Sequence, residues 1–126
     1  MSSSSADPNT RTLADAMHEL IDRPLASVEF VRDYIQLHFD GPTLTAYTPP
    51  TFRSASSEVL AWAQAGYRDA LCDLIGSVVH CIEVQPDAVC LKFEGGSAVC
   101  VSLRDDDYRG PEALQFLTEA GQTWVA

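Results

Sequence analysis

Basic residues are scarce: 8 Lys and Arg stand against 18 Asp and Glu, giving a formal net charge of −10 over 126 residues. Proteins that grip nucleic acid or an anionic membrane use clustered Lys and Arg to displace counterions. The balance excludes both as expected partners and directs attention to neutral or basic ones. No apolar run approaches the ~20 residues of a membrane span. Met1 to Pro8 has neither the basic nor the apolar region of a secretory leader, so a cytoplasmic protein is expected.

Chemical motifs are equally sparse. Cys72, Cys81, Cys90 and Cys100 contain no Cys-x-x-Cys pair and no zinc-finger spacing to histidine. Asp105-Asp106-Asp107 has the look of a calcium loop, but Arg109 falls at a ligand position and Phe116 at the closing acid. Gly95-Gly96-Ser97 precedes a strand pattern, whereas a phosphate loop and a nucleophile elbow both need a following helix. No catalytic residue, cofactor or metal ligand is therefore expected.

What is present is an ordinary globular composition, 46% hydrophobic and 21% charged, at a length that supports one core. A Ser-rich disordered tail is expected over residues 1–9 and a single α+β domain over 10–126. From Leu13, apolar residues at Ala16, Met17, Leu20 and Ile21 fall on one helical stripe, with Thr12 and Asp15 as a capping pair and Pro24 as the stop. Val28 to Phe30, Ile35 to Phe39 and Leu44 to Ala46 alternate like half-buried strands. Beyond Pro49-Pro50 a helical stretch is expected from Ser57 to Ile75, interrupted at Gly66 and ended by Gly76.

Alternation resumes at Ile82 and Val84, Val89 to Phe93, and Val99 to Leu103. Shifting the chain by 54 residues aligns Val28–Gly41 with Ile82–Gly95 without a gap. The alignment matches Glu29 with Glu83, Asp33 with Asp87, Leu37 with Leu91, Phe39 with Phe93 and Gly41 with Gly95. The expected architecture is two three-stranded antiparallel meanders in an internal pseudo-repeat, packed with three to four helices. The last of these helices is expected after Gly110-Pro111-Glu112, with Trp124 as a packing anchor.

Core parity constrains register, because a one-residue slip turns every core side chain to solvent. A two-residue turn at Pro86-Asp87 pairs Val84 with Val89 and Ile82 with Leu91. A three-residue loop at Gly95-Gly96-Ser97 sets Leu91 opposite Val101, and the loop at Gly41-Pro42 is tighter. In that register Cys81, Cys90, Lys92 and Cys100 share the sheet face opposite Leu91, a candidate interface face. Cys90 then reaches the other thiols only diagonally, roughly 7–8 Å away, so all are expected to be reduced. His80 and Cys81, as strand neighbours, point to opposite faces.

Asp105, Asp106, Asp107, Tyr108 and Arg109 form a candidate partner-binding cluster, although acids before a helix are also explained by its dipole. The stretch from Ile75 to Leu114, with its run Val101-Ser102-Leu103-Arg104-Asp105-Asp106-Asp107-Tyr108-Arg109-Gly110-Pro111-Glu112-Ala113, resembles small bacterial domains of unknown function. That resemblance implies no activity and no functional residue. The functional expectation is a non-catalytic protein-binding or assembly domain, as a homodimer. One alternative is an acidic, immunity-like or inhibitor protein that neutralises a basic partner. The other is a small-ligand binder or enzyme with a pocket between the two β units.

Overall fold

Alternating apolar and polar residues build β1 (Ser27–Val31), β2 (Tyr34–His38) and β3 (Thr43–Ala46) into one meander. The same alternation builds β6 (Val79–Gln85), β7 (Ala88–Phe93) and β8 (Ala98–Ser102) into a second. The computed structural model describes residues 8–107 and 112–126. Within them four further strands form two hairpins: β4 (Thr51–Arg53) with β5 (Val59–Leu60), and β9 (Leu114–Leu117) with β10 (Thr123–Val125). The helices are α1 (Pro8–Met17) and α2 (Tyr67–Cys72), with 3-10 turns at His18–Leu20 and Asp105–Asp107.

The hairpins are exchanged. The first sheet runs β10-β9-β3-β2-β1 and the second β5-β4-β8-β7-β6. Each meander is thus extended at its third strand by the hairpin that follows the other meander. Phe116 lies opposite Leu44 in one sheet and Phe52 opposite Val99 in the other. The inner faces of both sheets feed one hydrophobic cluster that includes Leu37, Leu44, Phe116, Phe52, Leu91 and Val99. Helix α1 packs on β6 and β10, and α2 on β1 and β4, so each helix braces strands of both sheets.

The two halves meet at an antiparallel bridge between Pro24 and Val78, positions that are themselves 54 residues apart. Four backbone hydrogen bonds surround it in matched pairs. Asp22 N–H donates to Val79 O and Gly76 N–H to Leu25 O, while Leu25 N–H donates to Ser77 O and Val79 N–H to Arg23 O. Exchanging each residue for its equivalent 54 positions away converts one member of each pair into the other. Local pseudo-twofold symmetry is therefore written into the main chain at this junction. Asp22 and Gly76 occupy its equivalent left-handed positions, with φ of 72° and 92°. Aspartate tolerates that region and glycine is the default for it.

The helix expectations need correction. Of the three to four expected, the described residues form two. The stretch from Ser57 supplies the end of a hairpin before α2, because Ser57 takes a left-handed φ of 71° and Ser54 Oγ accepts the Glu58 N–H, closing a turn. The helix expected after Pro111 is the β9–β10 hairpin. Leu114 and Phe116 are buried while Gln115 between them is partly exposed, a period of two, and Thr118 Oγ1 accepts the Gln122 N–H as Ser54 does in the other hairpin. Trp124 pairs with Phe116 across that hairpin. Helix α1 begins at Pro8, which places Thr12 inside it rather than at a cap. Residues 1–7 of the expected tail lie outside the described residues.

The turn at Pro86-Asp87 has the expected register, Val84 opposite Val89 and Ile82 opposite Leu91. The next loop does not. It has three residues, but they are Glu94-Gly95-Gly96, closed by Phe93 N–H to Ser97 O. Gly95 and Gly96 both need positive φ, 99° and 98°, which suits only glycine at successive positions. Leu91 therefore faces Val99, two residues from the expected partner Val101, with core parity kept. The first loop closes one residue shorter, Phe39 N–H to Pro42 O, and is the tighter of the two. A bulge between Val79 and Cys81 leaves His80 as an extra, exposed residue, so strict alternation does not hold for the His80–Cys81 pair.

Candidate functional site

The outer faces of the two sheets are built from equivalent positions and carry different chemistry. On the first, Gln36 Nε2 donates to Thr45 Oγ1 at 3.1 Å, and the Tyr47 hydroxyl donates to Gln115 Oε1 at 3.2 Å. Tyr34 meets Tyr47 edge-to-face, centroids 5.8 Å apart. His38 lies 3.1 Å from Glu29 and 3.3 Å from Thr43. That acid–imidazole–hydroxyl chain has the composition of a hydrolytic relay, but nucleophilic catalysis also needs donors for the oxyanion and a substrate cavity. None of the three residues lines any groove described below. The first face is knitted shut by its own side chains.

On the second sheet, Cys90 and Cys100 replace Gln36 and Thr45. They lie directly opposite each other, Cα atoms 4.1 Å apart, and are joined as a disulfide. The expectation of reduced thiols is thereby corrected. The two-residue change of register turned a diagonal pair into a facing one, within covalent reach. Cys72 and Cys81 are free thiols. Lys92 and Glu83 form an ion pair at 3.0 Å, where the first face has His38 and Glu29. Ala88 and Ser102 stand in place of Tyr34 and Tyr47.

Removing two phenol rings leaves a hollow. A groove of about 500 Å³ runs over Ala88, Cys100 and Ser102, walled by Thr48, Pro49 and Trp62. Its rim carries Asp87, Arg104 and Asp107. Ser102 Oγ donates to Asp107 Oδ2 at 2.6 Å, and Arg104 lies 3.9 Å from Asp106. Thr48 is 4% exposed and its Oγ1 has no hydrogen-bond partner among the described residues. An orphaned buried hydroxyl costs on the order of 1–3 kcal/mol. Trp62 is held in place by an edge-to-face contact with Tyr67, centroids 6.0 Å apart. The Tyr67 hydroxyl donates to Pro50 O, and burial pushes its pKa far above the ordinary phenol range, so it remains a donor.

Of the residues singled out from sequence, Cys81, Cys90, Lys92 and Cys100 lie on this outer face, as their register positions show. Asp105–Asp107 form a 3-10 turn just beyond β8, with Asp107 at the rim of the groove. Tyr108 and Arg109 lie outside the described residues. Thr48, Trp62 and Ser102 were missed. A sequence cue existed for Ser102 and Ala88 in the small residues that replace the two tyrosines of the first repeat. None existed for Thr48, whose role depends on the exchanged hairpin. Among the described residues no three His, Cys, Asp or Glu gather as a metal-binding group, and no helix is long and apolar enough to cross a membrane.

The seam between the halves is filled by the core. One groove of about 410 Å³ opens along it, lined by Leu13, Val84, Gln85, Pro86, Leu103 and Val125 among others, with neither acid nor histidine side chain among the described residues. No family model, curated protein or solved structure matches the chain.

Proposed function

We propose that this chain is a non-catalytic protein-binding domain that receives its partner on the outer face of the second sheet, over the groove between Thr48, Trp62 and Ser102. The observation that carries this reading is the divergence of two equivalent faces. One is closed by hydrogen bonds and a tyrosine pair, and the other is opened by Ala88 and Ser102 beside Thr48, Pro49 and Trp62. The repeated plan is consistent with duplication of one unit, after which one face kept a structural role and the other took a recognition role.

The net charge of −10 and the rim acids Asp87 and Asp107 favour a basic partner, because complementary charge accelerates encounter and suppresses wrong partners. An inhibitor that neutralises a basic protein is the specific form of this reading. Homodimerisation has less support. Among the described residues the large apolar side chains left exposed are Val59, Ile75 and Val125, on separate elements, whereas permanent dimers bury broad apolar faces. The cytoplasmic expectation rested on the composition of residues 1–8 and the lack of a long apolar run, whereas a disulfide persists in oxidising surroundings.

A photo-cross-linking residue at Ala88, and another at Tyr34 as the equivalent control, tests the assignment in the native cell. The trapped protein is identified and its complex rebuilt from purified components. The expected result is trapping from Ala88 alone and at least tenfold weaker binding by the Ala88→Tyr, Ser102→Tyr double variant, which transplants the closed face. Equal trapping from both sites, or unchanged affinity of the double variant, would contradict the proposal. Light scattering that finds a stable dimer would transfer the reading to self-assembly.

A further inference from the structure

We infer a second, separate binding site on this protein, for the phosphate group of a phosphate monoester, at the loop end of the second sheet. A hollow of about 580 Å³ is lined there by Arg53, His80, Lys92, Gly95, Gly96 and Ala98. The chain has 8 Lys and Arg in all, of which Lys92 is the only lysine. Two of those cations and a histidine therefore converge on one cavity of an acidic protein.

The backbone explains the convergence. Arg53 on β4 pairs with Ala98 on β8, and Ala98 pairs with Lys92 on β7. The two cations thus flank one methyl group across two strand spacings, about 10 Å apart at Cα. That is a span from which both long side chains can close on a tetrahedral anion. The bulge before Cys81 supplies the third group by bringing His80 to the exposed edge beside Lys92. Glycines 95 and 96 complete the wall. A Cβ at Gly95 would meet nothing within 4 Å, so the space beside it is open, and the hydrogen bonds closing the loop do not use its amide.

Donors from three strands suit the several oxygens of a phosphate better than a planar carboxylate, which one guanidinium fork satisfies. The volume lies in the range of small-molecule sites and leaves room for an organic body on the phosphate. Arg53 has no ion pair or hydrogen-bonded side-chain partner among the described residues, whereas Lys92 is paired with Glu83, and Glu94 lies on the rim. Beyond about 8 Å the remaining negative charge is screened at physiological ionic strength, so local donors govern binding. In the first half Leu117 replaces Arg53 and Ala26 replaces His80, so the site belongs to the second half alone.

The test is an NMR titration of the full chain with inorganic phosphate, with chloride and acetate at matched ionic strength as controls. The expected result is saturable shifts confined to the amides around Arg53, His80 and Gly95 to Ala98, absent with acetate. Arg53→Ala and Lys92→Ala should each weaken binding at least tenfold. Glu83→Gln, which releases Lys92, should tighten it at least threefold, a gain that damage to the fold would not produce. The same spectra report whether each variant remains folded. Glycerol 3-phosphate and a phosphoserine peptide then distinguish a free ester from a phosphorylated side chain, and tighter binding of either supports the shared chemistry. Shifts scattered over the surface, equal response to acetate, indifference to Arg53→Ala, or rejection of both esters would overturn the proposal.

Discussion

The outer faces of the two sheets solve one structural problem in two ways. At the centre of the first, Gln36 and Thr45 are joined by a hydrogen bond, while Cys90 and Cys100 are joined covalently at the same place in the second. Tyr34 and Tyr47 cover the end of the first face, and Ala88 and Ser102 leave that end of the second uncovered. A face that gives up covering side chains loses packing, and a cross-link between its two central strands offsets that loss without filling the groove. We read the disulfide as what allows the second face to stay open and ordered.

The largest expected effect breaks the exchange of hairpins. Phe116 is fully buried and Phe52 is 8% exposed, so Phe116→Ala should cost about 3–5 kcal/mol and Phe52→Ala less, measured by urea denaturation. Next comes the contrast between the two central clamps. Replacing Cys90 and Cys100 together by serine should cost about 2–3 kcal/mol, whereas Gln36→Ala, which leaves the buried Thr45 hydroxyl unpartnered, should cost about 1 kcal/mol. Equal costs would remove the distinction drawn between a covalent and a hydrogen-bonded face.

The junction gives a smaller asymmetry. Gly76→Ala should destabilise by about 1–2 kcal/mol through its left-handed backbone alone, since a Cβ there would meet nothing within 4 Å. Asp22→Gly at the equivalent position should change stability by less than half as much, because aspartate already tolerates that conformation. The smallest effect belongs to the matched surface contacts of Glu29 with His38 and Glu83 with Lys92. Glu29→Gln and Glu83→Gln should each cost less than about 1 kcal/mol, with the Glu83→Gln loss diminishing in high salt.

How much of this was legible in the sequence follows from the range over which each signal acts. The meanders were readable because alternation is local and Leu37, Leu91, Phe39 and Phe93 repeat at one offset. The hairpins were not. β4 and β5 are three and two residues long, too short for a period to declare itself, and Leu114 with Leu117 fits a helix as well as a strand. Their partners also lie across the chain, where no local pattern points. The disulfide was missed for a subtler reason. Parity fixes which face a residue takes, but a slip of two residues keeps parity, and only the Glu94-Gly95-Gly96 loop decides between Val99 and Val101 as the partner of Leu91. The groove inherited both errors, since Thr48 and Trp62 reach it through the connections around a hairpin that the sequence did not reveal.

The exchange of hairpins underlies the symmetry, the core and the open face, and proton–proton contacts measured by NMR test it directly. The account predicts cross-strand contacts from Phe116 to Leu44 and from Phe52 to Val99. Contacts from Phe52 to Leu44 and from Phe116 to Val99, with each hairpin completing its own meander, would contradict it.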